Sequence, residues 1–361
     1  MPSDERRRTS FGEAVALAAG LLGAAGMPEA AARRTAWALV VAELWGRSSH
    51  GLMRLAYYLP RLEQGGTDAR AELRVVRDEG AVVSFDGGNG LGHWQCWHAA
   101  EVATERASRF GIGAAAVANS GHNGALGLYV LPMLEQNMVG LVFSNGPAVM
   151  PPAGGHAPLL STSPIAAGVP TRPRPTIVDL ATSAVARGRI AQAAAKGEAI
   201  PEGWAFDAAG APTTDAAIGL AGMVAPMAGP KGYALALLVE ALTGALVGPA
   251  LAGDIGDSLT LANAPLPQRS AHLVLAIDPG ATDGDGHATD RLAELAKRVG
   301  ETGGRLPGAR YLLGDELDDT VPVELAPALA DELGELARRF GVACPASLLG
   351  AGEGRKDATR S

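Results

Sequence analysis

Two short segments hold the side chains best suited to chemistry. Arg47-Ser-Ser-His-Gly-Leu-Met-Arg54 sets an arginine four residues past a histidine. Ser120-Gly-His-Asn-Gly124 sets a second histidine among small and polar residues. On a helix His50 and Arg54 share one face, which Tyr58 extends by a further turn. A guanidinium is a rigid two-pronged donor that matches a carboxylate, and a histidine beside it can hydrogen-bond a hydroxyl or a carbonyl. The same spacing also describes an ordinary polar helix face. His122 follows a predicted strand and lies between glycines, so a ligand can approach its backbone. An imidazole there can take and return a proton near neutral pH, or simply cap a backbone group. A carboxylate clamp with an acid/base is what hydride transfer at C2 of a 2-hydroxy or 2-oxo acid requires.

Two more segments read as anion sites. Asp179-Leu-Ala-Thr-Ser183 ends a strand and is expected to open a helix, with free amides and the Thr182 and Ser183 hydroxyls at its start. Pro230-Lys231-Gly232 opens an apolar helix with a cation at the wrong end of the helix dipole, which suggests a bound anion or a solvated lysine. The nearest glycine-rich match to a dinucleotide fingerprint, Gly111-Ile-Gly113, has a helix before it and a strand after it. That order is the reverse of a Rossmann turn. No Walker A segment, nucleophile elbow or metal-ligand spacing is present. His93, His98, His156, His272 and His287 are read as structural or exposed.

The elements that must position these residues follow from periodicity and turn chemistry. Helices are expected near 10–25 and 28–45, with a third from Ser49 as N-cap to Gly65-Gly66. Pro60 should kink or shorten the third. Strands are expected at 73–77, 81–85, 113–118, 139–143, 165–169, 176–180 and 272–277. Helices are expected at 98–110, 126–137, after Ser183, 231–247, 287–299 and 324–341. Residues 200–231 are rich in Gly and Pro, 250–270 read as irregular, and 350–361 as a disordered tail.

With 361 residues, 47% hydrophobic and 19% charged, the chain can bury sizeable cores. A net charge of −8 argues against nucleic acid or an anionic membrane as partner. Two cysteines, Cys96 and Cys344, in no ligand-like spacing fit a reducing compartment. Arg6-Arg7-Arg8 before the apolar run 14–27 imitates a twin-arginine export signal. Glu13 interrupts the approach to that run, the run falls short of the ~20 residues that span a bilayer, and it leads into a helix stop and restart at Gly26-Met-Pro-Glu-Ala30. Two packed helices are expected there, in a cytoplasmic protein.

The ordered motifs resemble the malate/L-lactate dehydrogenase family of non-Rossmann NAD(P)-dependent oxidoreductases. That family includes ureidoglycolate, sulfolactate and diketogulonate enzymes and cyclic-imine carboxylate reductases. The resemblance runs from about residue 10 to 345. It rests on Ser49-His-Gly-Leu-Met-Arg54, Ser120-Gly-His-Asn-Gly124, Pro152-Ala-Gly-Gly155, Ser161-Thr-Ser-Pro164, Asp179-Leu-Ala-Thr-Ser183, Ile200-Pro-Glu-Gly-Trp204, Lys231-Gly-Tyr233 and Leu306-Pro-Gly308. It implies an α/β fold of α+β type, with a largely antiparallel central sheet and a helical part from the N- and C-terminal segments. The expected division is 1–70 with 300–361 as the helical part, 71–123 as a sheet and dimerisation part, and 124–299 as the cofactor domain. A homodimer is implied.

Carried over by position, His50 and His122 match the acid/base histidines and Arg54 the carboxylate ligand, with Tyr58 beside them. Asn145 falls where the family lines the nicotinamide pocket, and Thr162 and Ser163 match cofactor-binding positions. Asp179, Leu180, Ala181, Thr182, Ser183, Lys231, Gly232, Pro307 and Gly308 match segments that bind NAD or NADP. The chain departs from the family where Gly-Thr-Asn-Pro is replaced by Ser161-Thr-Ser-Pro164, and where Pro-Gly-Glu is replaced by Pro307-Gly-Ala309. The expected activity is hydride transfer between NAD(P) and C2 of a small 2-hydroxy/2-oxo acid. Reduction of a cyclic imine 2-carboxylate is the alternative, and a non-catalytic ligand-binding relative is a further one.

Overall fold

The computed structural model describes residues 6–257 and 259–349. The expected tail at 350–361 lies outside them. The chain forms two compact units. One comprises residues 1–70, 259–266 and 310–361, and the other comprises 71–258 and 267–309.

In the first unit, helices α1 (Phe11–Ala24), α2 (Glu29–Leu44) and α3 (Leu55–Glu63) pack with the C-terminal helix Pro327–Phe340. A reciprocal cap starts α1: Ser10 Oγ accepts from Glu13 N at 3.2 Å, and Glu13 Oε2 accepts from Ser10 N at 3.0 Å. This satisfies two of the amides a helix start leaves open. Small and branched side chains close the α1/α2 contact: Ala14, Leu17, Ala18 and Leu21 of α1 and Ala36, Leu39 and Val40 of α2 are all buried. The arginine run before α1 is a strand, Arg7–Ser10, paired antiparallel with Pro322–Leu325. Residues 324–341 are therefore the end of a strand followed by a helix that Pro327 opens, not one helix. Pro60 sits inside α3, which stops after nine residues. Among the described residues no helix is long and apolar enough to cross a membrane.

The second unit is built on a seven-stranded sheet. Its strands are β1 (Arg74–Glu79), β2 (Val82–Asp86), β3 (Ile112–Ser120), β4 (Val139–Ser144), β5 (Ile165–Val169), β6 (Thr176–Leu180) and β7 (Ser270–Ile277). The spatial order is β1-β2-β3-β7-β4-β5-β6, and every pair is antiparallel except β2–β3. That parallel pair needs a crossover, which α4 (Gly92–Phe110) supplies. The helix starts six residues earlier than the expected 98, because Leu91 is already extended and the chain turns helical at Gly92. Gly111, at φ 81°, ends it.

Three other helices differ from expectation. Residues 126–137 begin as a 3-10 turn (Leu126–Val130) before a short α-helix. The apolar run from Lys231 divides into α5 (Pro230–Glu240) and a π-turn (Ala241–Ala245). No helix opens directly after Ser183; the next starts at Arg187. The Gly- and Pro-rich stretch holds a small three-stranded sheet of two-residue strands at 205–206, 212–213 and 223–224. Such strands are too short to show a period.

Candidate active site

The first unit carries His50 and Arg54 on two 3-10 turns, Ser48–His50 and Leu52–Arg54, rather than on one α-helix. Gly51 breaks the expected helix at φ −95°, ψ −147°. The physical reason is Glu43. Its Oε1 accepts from Leu52 N at 2.9 Å, and a Cβ on residue 51 would lie 2.2 Å from that oxygen. Burial raises the Glu43 carboxyl above its ordinary range, against hydrogen bonds from Ser48 and Leu52.

Arg54 is buried. Its Nε donates to Ser49 O at 2.6 Å, which fixes the guanidinium plane and leaves the two Nη groups as the fork. Ser49 Oγ pairs with His50 Nδ1 at 2.9 Å. Burial, and then the charges of Arg54 and Arg47, hold the His50 pKa down at about 3. His50 is neutral at physiological pH. Tyr58 is fully buried, and burial raises its phenol above the usual range while the charges of Arg54 and Arg61 pull the other way. It stands in the unit's interior, in electrostatic reach of Arg54.

The second unit carries His122 at the sheet end where β3 leaves. A bulge precedes it: Ser270 faces Ser120 while His272 faces Val117, so two residues of β3 oppose one of β7. Asn119 takes up the irregularity at φ 50°. The following loop is clamped on every side. Gly121 N donates to Gly90 O at 2.8 Å and Gly92 N to His122 O at 3.2 Å. His122 N donates to Gln268 Oε1 at 3.0 Å. Gly92 has to be glycine, since a Cβ there would lie 2.3 Å from Gly121 O. His93, from the first turn of α4, sets its ring edge-on to His122 with centroids 6.3 Å apart.

Behind the loop lies a buried polar cluster. His272, expected as structural or exposed, has no exposed surface. Its Nε2 lies 3.1 Å from Gly121 O, and its Nδ1 lies 2.9 Å from Ser144 Oγ and 3.4 Å from Asn123 Nδ2. The carbonyl contact assigns the proton to Nε2. Burial is the main cause that holds its pKa down at about 4. Ser120 Oγ donates to Gln95 Oε1 at 2.6 Å, and Gln95 Nε2 to Gly87 O at 2.6 Å. Sequence reasoning missed Gln95, Gln268 and His272. Only His272 lies on a strand; Gln95 is on α4 and Gln268 precedes β7, and tertiary contacts rather than a local pattern bring the three to the loop.

Asn145 ends β4 with its side chain committed to protein. Oδ1 accepts from Ala271 N at 2.8 Å and Nδ2 donates to Ala250 O at 3.1 Å. Its amide also bonds the buried Glu240, whose carboxyl burial raises. Thr162 O receives both Thr182 N and Thr182 Oγ1, at 2.9 and 3.0 Å. Ser163, at φ 42°, is held by Ser161, whose Oγ accepts from Ser163 N at 2.9 Å.

These bonds correct the anion site expected at Asp179–Ser183. The Thr182 amide and hydroxyl are spent on Thr162, the Ser183 hydroxyl donates to Val185 O at 2.8 Å, and no helix opens there. Asp179 and Ala181 are half-buried and Leu180 is exposed. Pro307 O accepts from Ile177 N at 3.0 Å, which lays the Pro307-Gly308 turn along β6. Gly308, at φ 75°, leaves no room for a Cβ against Ile177.

A cleft of about 350 Å³ lies in this unit between the Pro151–Gly155 loop and the start of α5. Pro152, Gly154, Gly155, Phe206, Gly229 and Pro230 wall it. Nothing lies within 4 Å of where a Cβ of Gly154 or Gly229 would be. Pro230 has no amide proton, so the first helix amide is that of the exposed Lys231. A helix start with a lysine beside glycine walls has the donor chemistry of a site for a phosphate-bearing cofactor.

A largely antiparallel sheet with, among the described residues, no Rossmann turn marks a non-Rossmann α/β fold. The chain belongs to the malate/L-lactate dehydrogenase family, whose model matches residues 9–320. It is 39% identical over 329 residues to the (2R)-3-sulfolactate dehydrogenase (NADP(+)) of Chromohalobacter salexigens, covering 91% of this chain and 97% of the relative. It is 35% identical to the Δ1-pyrroline-2-carboxylate reductase of Ancylobacter novellus, covering 93% and 99%. Among solved structures, the sulfolactate dehydrogenase of Methanocaldococcus jannaschii superposes with a TM-score of 0.84 at 30% identity, covering 93% and 98%. The protein is a nicotinamide-dependent oxidoreductase of this family, and the resemblance and fold class expected from the motifs hold.

Proposed function

We propose that the protein transfers hydride between NAD(P) and C2 of a small 2-hydroxy/2-oxo acid. The observation that carries the division of labour is the state of His50. His50 is held neutral far below physiological pH by burial and two arginines, so it orients the substrate oxygen by hydrogen bonding. The proton falls to His122, whose loop is clamped while its ring stands beside that of His93. Arg54 holds the carboxylate through its Nη fork, and Tyr58 backs Arg54. The nicotinamide supplies or accepts the hydride; the protein supplies position and charge.

The cleft at the start of α5, with Lys231 and Gly232, suits the cofactor's phosphates. Asn145, Thr162 and Ser163 suit the nicotinamide end, acting through backbone and shape because their side chains are largely committed. Asp179 to Ser183 and the Pro307-Gly308 turn complete the cofactor segments. Arg47 puts a second cation on His50, which suits an acid with a second anionic group, as in the relatives named for sulfolactate and malate. The relative named for pyrroline-2-carboxylate supports the second reading, in which the proton goes to an imine nitrogen with the same clamp.

A homodimer is supported by the leucines that α5 leaves uncovered: Leu235, Leu237 and Leu238 are 37%, 46% and 50% exposed. A cytoplasmic setting is supported by the two cysteines, which form no disulfide. The test is loss of reduced-nicotinamide absorbance with NADH and NADPH across 2-oxo acids and cyclic imine carboxylates. Turnover of an oxo acid is expected. Turnover of imines alone moves the assignment to the second reading, and none with either class overturns the proposal.

A further inference from the structure

His272 lies on the central strand of the sheet, between the two strand ends that the proposed chemistry uses. On one side β7 pairs with β3, which leads into the His122 loop; on the other it pairs with β4, which ends at Ser144 and Asn145. The bulge opposite Ala271 breaks the ladder on the β3 side, so the regular register does not hold Gly121 in place. The His272 ring fills that gap. Nε2 donates to Gly121 O at 3.1 Å, and Nδ1 faces Ser144 Oγ at 2.9 Å and Asn123 Nδ2 at 3.4 Å. Gly121 and Asn123 are the two chain neighbours of His122.

We propose that His272 is the positioning residue of the active site, tying the Gly121 carbonyl and the Asn123 side chain, on either side of His122, to the end of β4. This rests on the reading of His122 as acid/base. The ring does this as a neutral imidazole of fixed tautomer, with one nitrogen donating and the other accepting. Other groups reinforce the same loop. Gln268 receives the His122 amide, Tyr129 donates its hydroxyl to Asn123 O, and Asn123 Nδ2 reaches Cys96 Sγ at 3.3 Å. It is His272 that joins the loop to β4. Displacing a catalytic group by about 1 Å costs on the order of 10²-fold in rate, so a residue that touches no substrate can control turnover from here.

The test uses the full-length protein and the substrate found in the cofactor screen. His272→Phe keeps an aromatic ring and removes both nitrogens. His272→Gln restores a donor toward Gly121 O. Ser144→Ala deletes one partner of Nδ1. The expected result is a kcat about 10- to 100-fold lower for His272→Phe, with the Kd for reduced nicotinamide, read by its fluorescence, within about twofold of parental. His272→Gln regains most of the loss, and Ser144→Ala falls between. A His272→Phe protein with kcat within about twofold of parental overturns the proposal. So does a loss of kcat and cofactor binding in parallel, which marks a merely structural role. If His272→Phe fails to fold, the other two variants decide: both at parental kcat overturns the proposal. A parental protein inactive across the screen refutes the functional reading and this inference with it, whereas an active parent with unaffected variants refutes this inference alone.

Discussion

Acidification should destabilise each unit through one buried histidine. The His50 pKa is held at about 3 and that of His272 at about 4. An unfolded chain offers both an ordinary imidazole near 6.5. The folded values lie below the unfolded ones, so on acidification the unfolded state takes up the proton first. Stability is complete above pH 6.5 and is lost as pH falls from there toward each folded pKa. Each pH unit in that window costs about 1.4 kcal/mol per histidine. Between pH 6.5 and 4.5 the loss is about 2 kcal/mol in each unit, since His50 belongs to one and His272 to the other. Set against a typical 5–15 kcal/mol for a domain, that loss is large. Glu43 and Glu240, whose carboxyls burial raises, act in the opposite sense, so single variants are needed to isolate the histidines. The assay is hydrogen exchange read by mass spectrometry at pH 7 and 4.5, corrected for intrinsic rates, on peptides from α2 and β7. His272→Gln should flatten the acid loss in β7 by about 2–3 kcal/mol and leave α2 unchanged. An equal acid loss in β7 of parent and variant would refute the neutrality of His272 in the fold.

Three further outcomes follow from the site. Arg54→Lys keeps the charge but loses the fork, so KM for the acid should rise by about 10²-fold with the cofactor Kd unchanged; steady-state kinetics and a fluorescence titration check this. Gly51→Ala drives a Cβ to 2.2 Å from Glu43 Oε1. It should cost about 1–3 kcal/mol of unfolding free energy, visible as a lowered Tm, and should raise KM by displacing Arg54. Lys231→Met removes the cation at the start of α5 and should weaken cofactor binding about tenfold while leaving kcat at saturating cofactor close to parental; an unchanged Kd places the phosphates elsewhere.

The candidate residues were legible because their motifs are short: His50, Arg54 and His122 each sit among residue types suited to the proposed chemistry. The local geometry that holds them was less legible. Four-residue spacing predicted one helical face for His50 and Arg54, but the break at Gly51 is imposed by Glu43, a carboxylate on the preceding helix. The anion site expected at Thr182 and Ser183 was lost to carbonyls of Thr162 and Val185, which no local pattern announces. Strands β1 to β7 showed as short runs of apolar and β-branched residues bounded by turn residues. The strand Arg7–Ser10 did not, because its partner lies near the other end of the chain. His272 was read as bland because a lone histidine on a strand carries no motif. Its place follows from tertiary pairing and a bulge.

Following the hydrogen itself decides whether the proposed reaction occurs. Reduced cofactor carrying deuterium at both positions of nicotinamide C4 is incubated with the accepted 2-oxo acid and either the parental protein or His122→Ala, and the product is analysed by mass spectrometry. Deuterium is expected at product C2 with the parent, and a rate about 10²- to 10⁴-fold lower with His122→Ala. Product formed without the label, or near-parental turnover by His122→Ala, would contradict hydride transfer to C2 with His122 as its acid/base.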